Sequence, residues 1–147
     1  MANVHYAMVI HAPQEKVWET VLDDASYRQW GNVFMPGSYF TGNWEKGSEM
    51  LFLAPDKDGK TSGMRARVVD NQPYTFVSLQ HVAMVQADGS EEVFNTPGGS
   101  FENYTFTEKD GGIEMAVDLV NIPDSWVEMM GDMWPQALEK IKELAEK

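Results

Sequence analysis

The segment after Ile122-Pro123 constrains the fold more than any other, because its apolar residues recur at helical spacing up to the end of the chain. This repeat predicts one long amphipathic helix, and Ser125 and Glu128 have the spacing of a capping box at its start. A helix of this kind must bury its apolar face against another layer of structure. The apolar positions are Trp126, Met130, Met133, Ala137, Ile141 and Leu144.

The chain that precedes this helix supplies the second layer, because most of it has the pattern of β-strands. Residues 3–10 alternate between apolar and polar side chains, which predicts a first strand. Between residues 39 and 120, clusters of turn residues separate segments that fit six further strands, of which the stretch 82–100 is the least regular. Alternation of this kind is typical of antiparallel sheets that bury one face.

Two short helices are predicted after the first strand. Pro13 suits the first turn of a helix over residues 13–22, and residues 24–30 predict a second helix, followed by a loop over residues 31–38. The elements together predict an α+β fold in one domain over residues 1–147. In this fold, called the helix grip, a seven-stranded curved antiparallel sheet wraps the long C-terminal helix.

Composition excludes several classes of partner. A formal net charge of −12 argues against nucleic acids and anionic membrane surfaces, which bind clustered Lys and Arg. No apolar run approaches the ~20 residues that cross a bilayer, so membrane insertion is not expected. Because the chain has no cysteine and no signal-peptide pattern at its N-terminus, we expect a cytoplasmic protein without disulfides.

Several segments resemble one known family. Residues 12–18 (APQEKVW), followed by Trp30, resemble the opening of the activator of heat-shock protein 90 ATPase-like proteins, a branch of the START and Bet v 1-like (SRPBCC) superfamily. Further similar segments are residues 42–48 (GNWEKGS), Gly63-Met64, residues 101–106 (FENYTF) and residues 134–138 (WPQAL). The resemblance implies a helix grip with a cavity between sheet and helix. Since the superfamily includes lipid carriers, hormone receptors, cyclases and co-chaperone domains, it does not select a function.

No catalytic motif, metal site or cofactor site is predicted. The three histidines, His5, His11 and His81, do not have the spacing of a metal site, and the chain contains no GxSxG nucleophile elbow. The strand carboxylates Glu102, Glu114 and Asp118 are candidate acids or bases if buried. We expect them to face solvent, because charged side chains are seldom buried.

Pro135 is the most informative local feature of the predicted helix. It removes the N–H that would bond the carbonyl of Gly131, and its ring crowds that carbonyl, which costs about 3 kcal/mol in a regular helix. Gly131 adds about 1 kcal/mol relative to Ala. Two helix breakers four residues apart predict a kink, which would let the helix follow the curved sheet or open a gap beneath it.

The surplus of Met and aromatic residues leads to the first functional hypothesis. Unbranched methionine adapts to irregular shapes, which suits a cavity for a small hydrophobic ligand, lipid-like or aromatic, although a closed core is the alternative. His81 and Tyr104 are the candidate polar anchors of this ligand, and the alternative for His81 is a partly exposed or hydrogen-bonded strand histidine. The predicted cavity residues are Trp30, Phe34, Met64, Phe76, His81, Tyr104, Met130 and Trp134.

Two other functions remain open. An enzyme acting on a hydrophobic substrate in the same cavity, as cyclases of the superfamily do, would need at least one buried ionisable group. A chaperone-associated interaction module is implied by the name of the family. The eukaryotic co-chaperone has a further N-terminal domain that is absent here, so a chaperone partner is disfavoured.

Overall fold

The computed structural model describes residues 1–147, in which the long C-terminal helix packs against a curved antiparallel sheet. The strands are β1 (Ala2–Ile10), β2 (Tyr39–Thr41), β3 (Glu49–Pro55), β4 (Thr61–Gln72), β5 (Phe76–Val85), β6 (Glu91–Val93), β7 (Phe101–Lys109) and β8 (Gly112–Ile122). The helices are α1 (Gln14–Leu22), α2 (Asp24–Trp30) and α3 (Val127–Ala145), with 3₁₀ turns at Gly31–Val33 and Asp124–Trp126.

Seven strands form one continuous path in the order β1-β8-β7-β5-β4-β3-β2, and every pairing along it is antiparallel. The first half of β5 pairs with β7, and its second half pairs with the short strand β6. The predicted helix-grip fold is therefore confirmed, with eight strands where seven were predicted. All three residues of β6 are exposed, so this strand has no apolar alternation by which to recognise it.

The pairing of β4 with β5 has two register irregularities, with Val82 as the extra residue in β5 and Val69 as the extra residue in β4. Bulges bend a strand and increase its local twist, so these two positions help to curve the middle of the sheet. The inward face of β5 alternates over Val77, Leu79 and His81, but the extra residue Val82 changes the parity, so Met84 lines the cavity and Ala83 pairs with Arg65 on the outward face.

Helix α3 buries one face against β1, α1 and α2. The buried residues on this face are Trp134, Ala137, Leu138, Ile141 and Ala145. The predicted capping box is wrong: the 3₁₀ turn contains Ser125, the helix starts at Val127, and no side chain caps it. None of the helices is long and apolar enough to span a membrane.

The two helix breakers lie inside α3, which continues through both of them from Val127 to Ala145. Gly131 and Pro135 are both exposed. Pro135 has no N–H to donate to the carbonyl of Gly131, and this carbonyl therefore lies on the solvent-exposed side of the helix. A bend at this point stays a prediction.

Candidate ligand cavity

A cavity of about 230 Å³ lies between the sheet and helix α3 and is partly open to solvent. Fourteen of its 19 lining residues are hydrophobic. The helical side and the segment after α2 contribute Tyr27, Trp30, Phe34, Met35, Ser38, Met130 and Trp134. The sheet contributes Phe52, Leu53, Ala54, Ser62, Gly63, Met64, Ala66, Leu79, His81, Met84, Glu102 and Tyr104.

Seven of the eight predicted cavity residues lie on this lining, and the structure brings them together from five different elements and the segment after α2. They are Trp30, Phe34, Met64, His81, Tyr104, Met130 and Trp134. The methionines divide between two environments, because Met50 and Met115 are in the closed core whereas Met64 and Met130 line the cavity. Some of the methionines thus belong to the closed core, which was the alternative to a cavity.

Phe76 is the exception, and its placement in the cavity is corrected. It is the first residue of β5 and pairs with Thr105, beside Asn103 and His5 on the other face of the sheet. Its position has the opposite parity to Leu79 and His81, which both point inward. Since successive strand residues face opposite sides, Phe76 cannot share a face with them in an unbulged strand.

The helical wall of the cavity is a cluster of aromatic rings centred on Trp134. The ring centroid of Trp134 lies 5.0 Å from that of Phe34 and 5.8 Å from those of Trp30 and Tyr104. Tyr27 extends the cluster through a centroid distance of 4.8 Å to Trp30. The indole nitrogen of Trp134 is buried and has no hydrogen-bond partner. A buried indole N–H usually has an acceptor, so the N–H of Trp134 is a hydrogen-bond donor without a partner.

The sheet side of the cavity holds a polar cluster of His81, Ser100, Glu102 and Tyr104. Nδ1 of His81 lies 3.3 Å from the hydroxyl of Ser100, and Nε2 lies 3.5 Å from Oε1 of Glu102. The hydroxyl of Tyr104 donates a hydrogen bond to the other oxygen of Glu102, Oε2. Despite its distance to Glu102, Nε2 has no hydrogen-bond partner. The expectation that Glu102 faces solvent is wrong, because its side chain is only 19% exposed.

Burial controls the ionisation of the tyrosines in this region. It raises the pKa of Tyr104 well above 10, and the negative charge of Glu102 raises it further. Burial, followed by the charge of Glu102, also raises the pKa of Tyr27. Both phenols therefore stay neutral at physiological pH and act there as hydrogen-bonding groups.

Aromatic residues from outside the sheet path cover the ring of His81. Phe94, which follows β6, has its ring centroid 5.9 Å from that of His81, and Trp126 lies at 6.2 Å. Phe94 and Trp126 also contact each other edge to face at 5.8 Å. His81 is consequently 4% exposed, so of the two alternatives for this residue the partly exposed one is wrong, whereas the hydrogen-bonded one agrees with the contact between Nδ1 and Ser100.

The other two candidate carboxylates lie outside the cavity. Glu114 pairs with Lys109 at 2.9 Å, and Asp118 lies 2.6 Å from Nδ1 of His5. They alternate along β8 with buried apolar residues, which places them on the outward face, as expected.

The sequence carried a signal for Glu102 that was missed. It lies two residues before Tyr104 on one strand, so the two side chains share a face, and predicting Tyr104 in the cavity places Glu102 there as well. Tyr27 is likewise one helical turn before Trp30. The small residues that shape the floor, such as Gly63 and Ala66, give no comparable signal.

Similarity to solved structures supports the fold. Protein CV1439 from Chromobacterium violaceum is 20% identical, with 99% of this chain and 97% of that chain covered at a TM-score of 0.71. ChR145 from Cytophaga hutchinsonii is 20% identical, with coverages of 97% and 92% and a TM-score of 0.73. DynU16, from the dynemicin biosynthetic locus, is 17% identical, with coverages of 96% and 46% and a TM-score of 0.68. At these identities the likeness shows the fold alone.

Comparison of the sequence itself identifies the family. No curated protein matches it significantly. The family model for Activator of Hsp90 ATPase homolog 1-like protein matches residues 11–146, which is nearly the whole chain and includes both walls of the cavity. The resemblance seen in the sequence motifs is thereby confirmed, and the chain belongs to the Activator of Hsp90 ATPase homolog 1-like protein family.

Proposed function

We propose that this protein binds a small aromatic molecule of one or two rings in the cavity between the sheet and α3. The observation that carries the proposal is the cavity itself, a partly open space of about 230 Å³ with a mainly apolar lining. The fold to which the chain belongs is commonly a ligand-binding fold. Well-packed cores leave few voids larger than a water molecule, so a space of this size favours a binding site over a packed core.

The volume limits the ligand. An apolar cavity of about 150 Å³ can hold benzene, whereas sites for drug-sized ligands occupy about 300–1,000 Å³. A space of about 230 Å³ lies between these values, so it accepts one or two rings but only part of a lipid chain. The rings around Trp134 favour an aromatic ligand further, because aromatic pairs gain energy beyond the burial of their area. The location of DynU16 in a biosynthetic locus fits a role with small molecules.

A titration with naphthalene tests the proposal. The indole N–H signals of Trp30 and Trp134 in a proton–nitrogen NMR spectrum report on the cavity wall, and that of Trp44, whose nitrogen donates to the carbonyl of Leu22, is the internal control. We expect saturable shifts of the first two signals and no shift of the third. Spectra that do not change up to the solubility limit of naphthalene would end the proposal.

A second candidate function, proton-transfer catalysis, is favoured by one specific observation: Glu102 and His81 line the same apolar cavity. A carboxylate there is placed to remove a proton from carbon next to a ligand carbonyl. The C–H bond would break, Glu102 would take the proton and the substrate would become an enolate. Deuterium exchange into 2-tetralone measures this step directly. Wild type should accelerate exchange at least 100-fold over the Glu102→Gln variant. Equal rates in the two proteins would exclude this function.

A further inference from the structure

The unpaired nitrogen of His81 indicates which polar group the ligand carries. His81 is one of the residues that line the cavity, its side chain is 2% exposed, and its Nε2 is buried without a hydrogen-bond partner. Buried polar atoms are nearly always paired, because an unpaired one has lost water without a replacement. This atom is therefore a candidate contact for a polar group that enters the cavity.

Glu102 supplies the second half of the same contact. Its Oε2 accepts the hydrogen bond from Tyr104, which leaves Oε1 available, and Oε1 lies 3.5 Å from Nε2 of His81. An oxygen atom to one side of this pair can lie about 2.8 Å from both atoms, the ordinary length of such hydrogen bonds. Because Nε2 faces a carboxylate oxygen, this site favours the tautomer with the ring proton on Nε2, and Nδ1 then accepts from the hydroxyl of Ser100.

From this geometry we propose that the ligand carries a hydroxyl group on its aromatic ring, and that the hydroxyl binds between His81 and Glu102. The inference rests on the proposed binding function. A hydroxyl both accepts and donates, so it can accept from Nε2 and donate to Oε1. A carbonyl would meet the carboxylate without a proton to share, and an ammonium group would have nothing to accept from Nε2.

The surroundings place an aromatic ring beside that hydroxyl. Phe94 and Trp126 close one side of His81, so the open direction is toward the cavity. Tyr104 connects the two walls, since its hydroxyl contacts Glu102 and its ring packs against Trp134 at 5.8 Å. A phenol bound here would have its oxygen at the polar cluster and its ring at the aromatic cluster.

The test compares 2-naphthol with naphthalene, two probes that differ by one hydroxyl. Wild type should bind 2-naphthol about tenfold more tightly than naphthalene, as expected for one or two buried hydrogen bonds. In His81→Leu this ratio should fall by at least about threefold, because the hydroxyl keeps only its hydrogen bond to Glu102. His5→Leu is the matched control, because His5 is an exposed histidine on the outer face, and it should keep the wild-type ratio.

A measurement on the wild-type protein alone covers the case in which His81→Leu does not fold. Nitrogen NMR of the imidazole rings should show a change at Nε2 of His81 with 2-naphthol and none with naphthalene. Equal affinities for the two probes, or an unchanged ring nitrogen, would overturn this inference and leave the proposed function standing. If neither probe binds wild type, both the proposed function and this inference are overturned.

Discussion

Tyr104 donates its hydroxyl hydrogen bond to Glu102, two residues earlier on the same strand, from a position that is only 2% exposed. Residues two apart on a strand share a face, so this contact is a direct product of strand geometry. It satisfies a buried phenol and fixes one carboxylate oxygen, which leaves the other oxygen facing His81.

The Glu102→Leu variant should leave the hydroxyl of Tyr104 buried without its acceptor. We expect the free energy of unfolding to fall by about 1–3 kcal/mol. Adding Tyr104→Phe removes the unpaired hydroxyl and should recover most of this loss. Urea denaturation of the single and double variants measures both changes. A double variant that is no more stable than Glu102→Leu would contradict the prediction.

Tyr104 should make stability depend on pH in the alkaline range. Burial, and then the charge of Glu102, raises its pKa in the folded state, so above pH 10 it ionises only on unfolding. Its contribution is fully present below pH 10 and decreases above it, by about 1.4 kcal/mol per pH unit. At about pH 11, Tyr104→Phe should therefore have lost about 1 kcal/mol less than wild type, relative to neutral pH.

The exposed residue Tyr74 provides the control for this measurement. Tyr74→Phe should follow the wild-type dependence of the urea midpoint on pH. Tyr27→Phe should resemble Tyr104→Phe, because burial raises the pKa of Tyr27 as well. Equal slopes for wild type and Tyr104→Phe would show that the phenol ionises without unfolding.

Two buried alanines distinguish empty space from packed core. Ala66 lines the cavity, whereas Ala137 of α3, equally buried in the core, does not. Ala66→Leu should fill the space, change the free energy of unfolding by less than about 1 kcal/mol and weaken naphthalene binding more than tenfold. Ala137→Leu should destabilise the protein by about 1–3 kcal/mol through overpacking. If the two variants lose equal stability, the space beside Ala66 is not available to a ligand.

Substitution by alanine should change the stability of the protein in opposite directions at two glycines. A Cβ at Gly63 would lie 1.8 Å from the carbonyl oxygen of Phe52, so Gly63→Ala should destabilise the protein by more than about 2 kcal/mol. At Gly131 the nearest atom is the hydroxyl of Tyr6 at 3.7 Å. Gly131→Ala should therefore raise the free energy of unfolding by up to about 1 kcal/mol, the difference in helix propensity. Thermal denaturation of both variants checks the signs, and a destabilised Gly131→Ala would mean that the helix needs its flexible position.

The fold was largely predictable because its signals are periodic. Alternation located the long strands, and the helical repeat after Pro123 located α3, so the grip of sheet on helix followed from the need to cover that helix. Strand β6 escaped detection because its three residues are all exposed and it is held by pairing with β5. The capping-box pattern was misleading, since the chain after Pro123 forms a 3₁₀ turn before the helix begins.

The cavity was predictable where residue type and face agree, as for Trp30 and Trp134. Phe76 was placed in the cavity because it is aromatic, although its position in the strand alternation points to the other face. Glu102 was assigned to solvent because carboxylates are usually exposed. The unpaired nitrogen of His81 and its 3.5 Å separation from Glu102 depend on how two strands distant in sequence, β5 and β7, pair in space. No local pattern contains that distance.

The position of β1 at the end of the strand order affects how the chain must fold. Its partner in the sheet is β8, and His5 contacts Asp118 across 113 positions of sequence. Contacts between such distant residues slow folding, because a long loop must close before they form. During synthesis the first strand therefore leaves the ribosome long before its partner exists. We expect β1 to pair late, with the helical core assembling on the sheet only after β8 has been made.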